Sequence, residues 1–243
     1  MLAINSQGHM SEVGMDIRTG GWVLVGGMVM AMAAVAVVLL GGPVSDMGRT
    51  DSLEPVDLTL KGHEFQVPKA YLWYKPQWDG AVENAVLMAA VWGTDQAGLR
   101  PFSEETKAFF KGGMGLPYKV SFDLFAMVPG EQLEDLYFKP GYQETCQWER
   151  EGFKVCPHPE TPHFYEVLVN SNGERPLALT CRKQAVDRSP FCTVDLPYAL
   201  GLKLTVGFHA KRLAEVGDII DAVLDRVCGF RRSGTPQVAQ CQS

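Results

Sequence analysis

The residues whose types and spacing could do chemistry lie together in the run Cys156-Pro-His158-Pro-Glu160-Thr-Pro-His163, with Cys146 ten residues upstream. Two thiolates and two imidazoles are the donor set of a tetrahedral zinc site. Three features of the run argue the other way. The intervals match no familiar finger, three prolines stiffen the loop, and the two cysteines can equally close a disulfide. Histidine elsewhere offers little, because His63 and His209 read as polar-face residues of strands. The adjacent Glu104 and Glu105 suggest a general acid and base, but neighbouring residues on a helix point in different directions, so they read as the acidic first turn of a helix capped by Ser103. Gly112-Gly113-Met114-Gly115 shares only its glycines with a phosphate-cradling loop; no Lys-Ser/Thr pair follows and no GxGxxG is completed. Neither GxSxG nor HExxH occurs. No cofactor is implied.

What holds these residues in place begins with Trp22–Leu40, WVLVGGMVMAMAAVAVVLL, a run without a charge between Gly20-Gly21 and Gly41-Gly42-Pro43. As a helix it reaches roughly 28 Å, close to the ~30 Å hydrocarbon core of a bilayer, and it is expected to span a membrane. A cleaved secretory signal is the rival reading. The run is longer than a signal core, however, and Pro43 follows the only small residues at which a cut could fall. Gly27 and Ala31 make a small-xxx-small pair on one face of that helix, where a second helix can approach closely; Gly and Ala are also simply common in membrane helices.

Arg18 before the span is matched by Arg49 after it, so basic residues do not orient it. Cysteine does. All six cysteines (Cys146, Cys156, Cys181, Cys192, Cys228 and Cys241) follow the span, as expected if only the C-terminal part meets an oxidising compartment. Residues 1–21 are then a cytoplasmic tail, 22–40 the span, 41–55 a polar linker, 56–232 the folded domain and 233–243 a polar tail. No N-x-S/T sequon occurs, which favours a bacterial inner-membrane protein with a periplasmic domain. A net charge of -6 argues against nucleic acid and against polybasic attachment to anionic lipid.

Within the domain, Val56–Leu60 and Glu64–Val67 flank Lys61-Gly62-His63 as a short hairpin. Tyr71, Trp73, Tyr74 and Trp78 form the densest aromatic patch. It reads either as a partner-docking surface or as rings closing one end of the core. Residues 81–92 are apolar and fit helix or buried strand equally. Val120, Phe122 and Leu124 alternate with Ser121 and Asp123, a strand with one buried face. Phe164–Val169 and Pro176–Cys181 enclose an Asn-Gly turn, and Leu202, Leu204, Val206 and Phe208 alternate cleanly. From Leu213 the period changes to three and four, through Val216, Ile220, Val223 and Val227, making an amphipathic helix to about Gly229 with Gly229 as its C-cap. These elements predict an α+β fold: an antiparallel sheet with a C-terminal amphipathic helix packed on one face, preceded by one transmembrane helix.

Local loop closure pairs Cys146 with Cys156 and Cys181 with Cys192, although six cysteines can join in more ways than sequence alone can choose among. Cys228 follows Leu224 on the apolar side of the helix, and reads as a buried free thiol or as a partner of Cys241. Gly62–Leu72 (GHEFQVPKAYL) and Leu179–Leu224 resemble uncharacterised, singly anchored periplasmic proteins of Gram-negative bacteria. That resemblance implies a periplasmic address and a Cys181–Cys192 pair. It brings no activity and no functional residues.

The expectation is therefore a non-enzymatic, single-pass protein, held in the bilayer by its span, whose periplasmic domain binds a protein partner. It would serve as an accessory or assembly subunit of a membrane complex. An inhibitor or immunity protein against a secreted toxin is the alternative, which the acidic domain suits. A membrane-tethered hydrolase or metal-dependent enzyme is the third.

Overall fold

The computed structural model describes residues 48–93, 98–111, 116–128, 135–170, 175–183, 190–232 and 241. The span expected at Trp22–Leu40, with Gly27 and Ala31, lies outside them, as do Gly112–Gly115 and the Asn-Gly turn. Among the described residues no helix is long and apolar enough to cross a membrane.

The first hairpin joins β1 (Pro55–Leu60) to β2 (His63–Pro68). Its turn is two residues, tighter than the three expected, because Lys61 and Gly62 both take positive φ (51° and 79°), the left-handed geometry that matches strand twist. His63 thereby enters β2 and is buried, so its reading as a polar-face residue is corrected. Residues 81–92 resolve as strand: β3 (Ala85–Val86) and β4 (Ala89–Trp92), followed by β5 (Leu99–Arg100). Ser103 and Thr106 then exchange backbone-to-hydroxyl bonds (2.9 and 3.3 Å), and α1 (Lys107–Phe110) begins one turn later than the acids suggested.

The long strand β6 (Lys119–Ala126) leads to α2 (Pro140–Gln143) and to the meander β7 (Trp148–Arg150), β8 (Phe153–Pro157), β9 (Tyr165–Asn170), β10 (Leu177–Arg182), β11 (Phe191–Ala199) and β12 (Leu202–His209). A short 3-10 turn, Ala210–Glu215, passes into α3 (Val216–Gly229). Gly229 is the last residue of α3; the capping position falls to Phe230 in ordinary helical geometry, so no left-handed glycine is used there. The sheet runs β5-β4-β6-β12-β11-β10-β9-β8-β7, with β3 also on β6, and every pairing is antiparallel. It is an α+β fold with α3 packed on one face.

The core forms because the inward alternate residues of the sheet (Phe122, Leu124, Leu204, Val206, Phe208) meet the apolar stripe Ile219, Ile220, Val223 and Val227 of α3 and the alternate residues Val56, Leu58, Phe65 and Val67 of the hairpin. The first hairpin and the segment after α3 are tied there. Gln66 N–H donates to Phe230 O at 2.7 Å, Arg232 N–H to Glu64 O at 3.1 Å, and Phe65 bridges Arg231. A second, smaller cluster (Tyr137, Cys156, Val167, Val169, Ala178) fills the opposite face under the segment that carries α2. The strand β6 is buried on both faces, not one: Lys119, Ser121 and Asp123 are all shielded. His209 is likewise buried, its Nδ1 accepting from Lys211 N–H at 3.1 Å to cap the 3-10 turn, which corrects its reading as a polar-face residue.

All six cysteines are joined: Cys146–Cys156, Cys181–Cys192 and Cys228–Cys241. The last pairing removes the buried-thiol reading of Cys228. Cys181 and Cys192 oppose each other on adjacent strands within the core. Replacing both by alanine is expected to cost about 2–4 kcal/mol, from lost chain restraint in the unfolded state. Urea unfolding at neutral pH measures it.

Candidate protein-binding site

The aromatic patch expected to dock a partner is largely built into the domain. Tyr71 is only 4% exposed, its ring edge-on to Phe110 and Phe230 and its hydroxyl accepting from Phe102 N–H (3.3 Å) and Arg226 Nη1 (3.2 Å). This corrects its reading as a docking residue, since a ring enclosed by two others leaves no face for a partner. Trp73 and Trp78 are half-buried and also occupied: Trp73 Nε1 donates to Asp123 Oδ1 at 3.2 Å and Trp78 Nε1 to Leu72 O at 3.1 Å. Tyr74 is half-buried beside them and caps the 3-10 turn Lys75–Asp79. Their hydrogen bonds make these indoles braces of β6 and of the turn after β2.

Exposed rings stand instead on the β7–β9 end of the sheet, Trp148 on the last strand and Phe164 just before the third from that edge. Trp148 on β7 is 50% exposed and Phe164, just before β9, is 68% exposed. Sheet order places β7 last, so its outer edge carries no strand among the described residues. Arg150 lies over the Trp148 ring at 5.5 Å and pairs with Glu166 at 2.5 Å, which fixes both the guanidinium and the indole plane. Behind them Arg182 covers the Tyr165 ring at 6.0 Å, and His158 meets the same ring at 5.9 Å. A small cavity of about 210 Å³ opens here, walled by Trp148, Val155, Pro157, Glu166 and Lys183. Lys183 N–H donates to Phe164 O at 2.9 Å, so one residue links the cavity wall to the second exposed ring.

This edge contains the run first considered for zinc, and the structure assigns its members other roles. Cys146 and Cys156 are joined, which takes both thiolates away from any metal. His158 Nδ1 faces the backbone N–H of Glu160 (3.3 Å) and Thr161 (3.2 Å), ordering the proline-rich turn, while His163 is exposed. Among the described residues, no three of His, Cys, Asp and Glu gather as a metal would require. The disulfide anchors β8 to the segment entering β7, so the turn, the staple and the Arg150–Glu166 pair together hold Trp148 on a rigid element.

Two buried ionisable groups were also not legible beforehand. Asp123, 9% exposed, is pushed up to about 7 by burial, against the opposing effect of bonds from Met88 N–H and the Trp73 indole. Lys119, on the same face of β6, is pushed down to about 7 by burial and by Arg49; its Nζ donates to Phe109 O and Phe110 O at 3.1 and 2.5 Å. Each is held by neighbours within the fold, Asp123 away from any cleft.

No protein-family model matches the sequence, and no curated protein matches it. Solved structures that resemble the chain include the Neisseria meningitidis iron-regulated outer membrane lipoprotein FrpD, at 18% identity and a TM-score of 0.48 over 76% of this chain and 96% of that one. Another is an immunity protein of the Stenotrophomonas maltophilia type IV secretion system, at 12% identity and a TM-score of 0.49 over 75% and 95% of the two chains. Likeness at this level assigns neither an activity nor a partner.

Proposed function

We propose that the chain is a single-pass bacterial inner-membrane protein with a cytoplasmic N-terminus, whose periplasmic domain binds a protein partner through the β7 edge as an accessory or assembly subunit of a membrane complex. The observation that carries the binding reading is the exposed ring of Trp148 on the last strand of the sheet, whose outer edge is unpaired among the described residues, with exposed Phe164 just before β9 on the same side of the sheet's strand order. Trp, Tyr and Arg are the residue types that dominate interface energetics, and here arginines already hold Trp148 and Tyr165 in place, so little ordering remains to be done on binding. Six paired cysteines support a compartment that permits disulfides, and the apolar run at residues 22–40 supports the anchor.

The test is purification of full-length protein by a C-terminal tag, from its own membranes in mild detergent, for the wild type and for Trp148→Ala and Phe164→Ala. A stoichiometric set of membrane subunits is expected with the wild type. Each substitution should weaken that association by about 2 kcal/mol, roughly thirtyfold, at unchanged thermal stability. A wild-type protein that purifies alone defeats the complex-subunit reading and moves the inhibitor reading ahead. Undiminished recovery with both variants moves the binding surface away from β7.

A further inference from the structure

Three strand pairs of the domain close through a two-residue turn whose second member is glycine: Lys61-Gly62 after β1, Glu151-Gly152 after β7 and Leu200-Gly201 after β11. Glycine meets the turn geometry in each, at φ of 79°, 79° and 75°. The first position is left to whatever the surroundings favour. Two of the turns place a charge there, as water favours. The third places a leucine that is 95% exposed. A side chain so open adds almost nothing to the packing of the domain, so the fold does not account for it.

The neighbours of Leu200 share its character. Met127 N–H donates to Gly201 O at 2.8 Å, which sets the end of β6 beside the turn, and the next residue, Val128, is 68% exposed. Neither Leu196–Leu202 (LPYALGL) nor Leu124–Val128 (LFAMV) contains a charge. Asp195 and Lys203, which flank the first run, pair with each other at 3.3 Å. Apolar residues exposed singly are ordinary on a protein surface, whereas an uncharged tip built from two adjoining segments marks a contact.

The beginning of the domain points to the same strand ends. Ala85 of β3 faces Phe125, and Leu202 of β12 faces Ala126, so β3 begins, β6 ends and β12 begins at one level, next to the Leu200 turn. Leu72 bridges Met88 in the antiparallel sense and Trp73 N–H donates to Leu87 O at 3.3 Å, so residues 70–73 run towards that level. Traced backwards, residues 52–48 follow them: Ala70 N–H donates to Ser52 O at 2.9 Å, and Gly48 N–H to Trp73 O at 3.1 Å. Only residues 41–47 separate Gly48 from the apolar run that ends at Leu40, and seven extended residues reach at most roughly 25 Å. For a chain anchored by that run, the short tether arrives at the end of the domain that carries the uncharged turn.

We infer that this turn is a lipid contact: in the anchored protein Leu200, with Met127 and Val128 beside it, enters the boundary between the headgroups and acyl chains of the bilayer. The inference rests on the single-pass reading. Because the flanking charges pair with each other, the contact is apolar and insensitive to lipid charge.

The experiment places an environment-sensitive fluorescent amino acid at position 200 of the full-length protein, and in a separate protein at position 148 on β7. Each is reconstituted into phosphatidylcholine vesicles with and without bromine on the acyl chains. Emission at 200 is expected to shift to the blue and to be quenched at least about twofold by the brominated lipid, equally when phosphatidylglycerol is added, and position 148 should show neither effect. If the probe at 200 lowers Tm, Leu200→Trp takes its place, read as excess quenching over wild type. Protein that stays with the vesicles through an alkaline wash but is unquenched at 200 overturns the lipid contact and leaves the anchor standing. A blue shift without quenching also overturns it, since it shows a protein cover such as a second copy. Protein washed off the vesicles overturns the single-pass reading and the inference with it.

Discussion

Stability measured by denaturant unfolding is expected to fall as pH rises from about 4, to pass through a minimum near pH 7, and to rise again towards pH 10. Two groups on β6 produce this. The Asp123 carboxyl has a folded-state pKa of about 7, above its unfolded value. The neutral acid is therefore favoured by folding, and that contribution, complete below about pH 4, is lost as pH climbs through 7; the full loss is on the order of 4 kcal/mol. Lys119 has a folded-state pKa of about 7, below its unfolded value. Its cost is constant below pH 7, where both states are protonated. It is relieved between about pH 7 and 10, where the unfolded chain holds the proton and the folded one does not. Asp123→Asn preserves an acceptor for Met88 N–H and the Trp73 indole, and should flatten the acid limb alone. Lys119→Met should flatten the alkaline limb alone. Wild type and Asp123→Asn falling in parallel between pH 4 and 7 would sink the assignment.

The second large effect is at Trp92, 1% exposed at the end of β4. Its ring fills the core, and its Nε1 donates to Glu215 Oε2 at 2.6 Å, just ahead of α3, where Arg212 holds the other carboxylate oxygen at 2.9 Å. Trp92→Ala removes the largest side chain of the core and the tie between sheet and helix start together. A loss of about 3–5 kcal/mol is expected. Trp92→Phe keeps most of the volume but not the donor, and should lose less. Urea midpoints at one pH rank the variants, and an alanine variant within about 1 kcal/mol of wild type would show that the site relaxes around the cavity.

How far such features could be read beforehand depended on local pattern. Leu202–Phe208 and Val216–Val227 are legible because each buries one face, so period two and period three-to-four stand out. β11 alternates equally well in Cys192, Val194, Leu196 and Tyr198, but Pro197 inside it masked the strand; the proline is tolerated where pairing to β10 has ended. β6 misled because its second face, read as exposed, is covered by distant parts of the chain such as Trp73, which no local pattern reports. Aromatic density pointed to Tyr71, Trp73, Tyr74 and Trp78, which brace the core. Trp148 sits alone in Gln-Trp-Glu-Arg-Glu, and that charged surrounding was the available sign of an exposed ring. The Cys228–Cys241 pair was one of two readings open to Cys228, because a cysteine on the apolar side of a helix suits a buried free thiol equally well.

The seam where β2 meets Glu64, Phe65 and Gln66 to Phe230, Arg231 and Arg232 has a consequence in time. The hairpin precedes the whole sheet in the chain, but the backbone groups it must satisfy belong to the segment that follows α3. A chain made from its amino end cannot complete its core until that closing segment has been added, and until then the hairpin face remains open. Any truncation before Phe230 should therefore leave the hairpin without its mate and expose the domain to proteolysis.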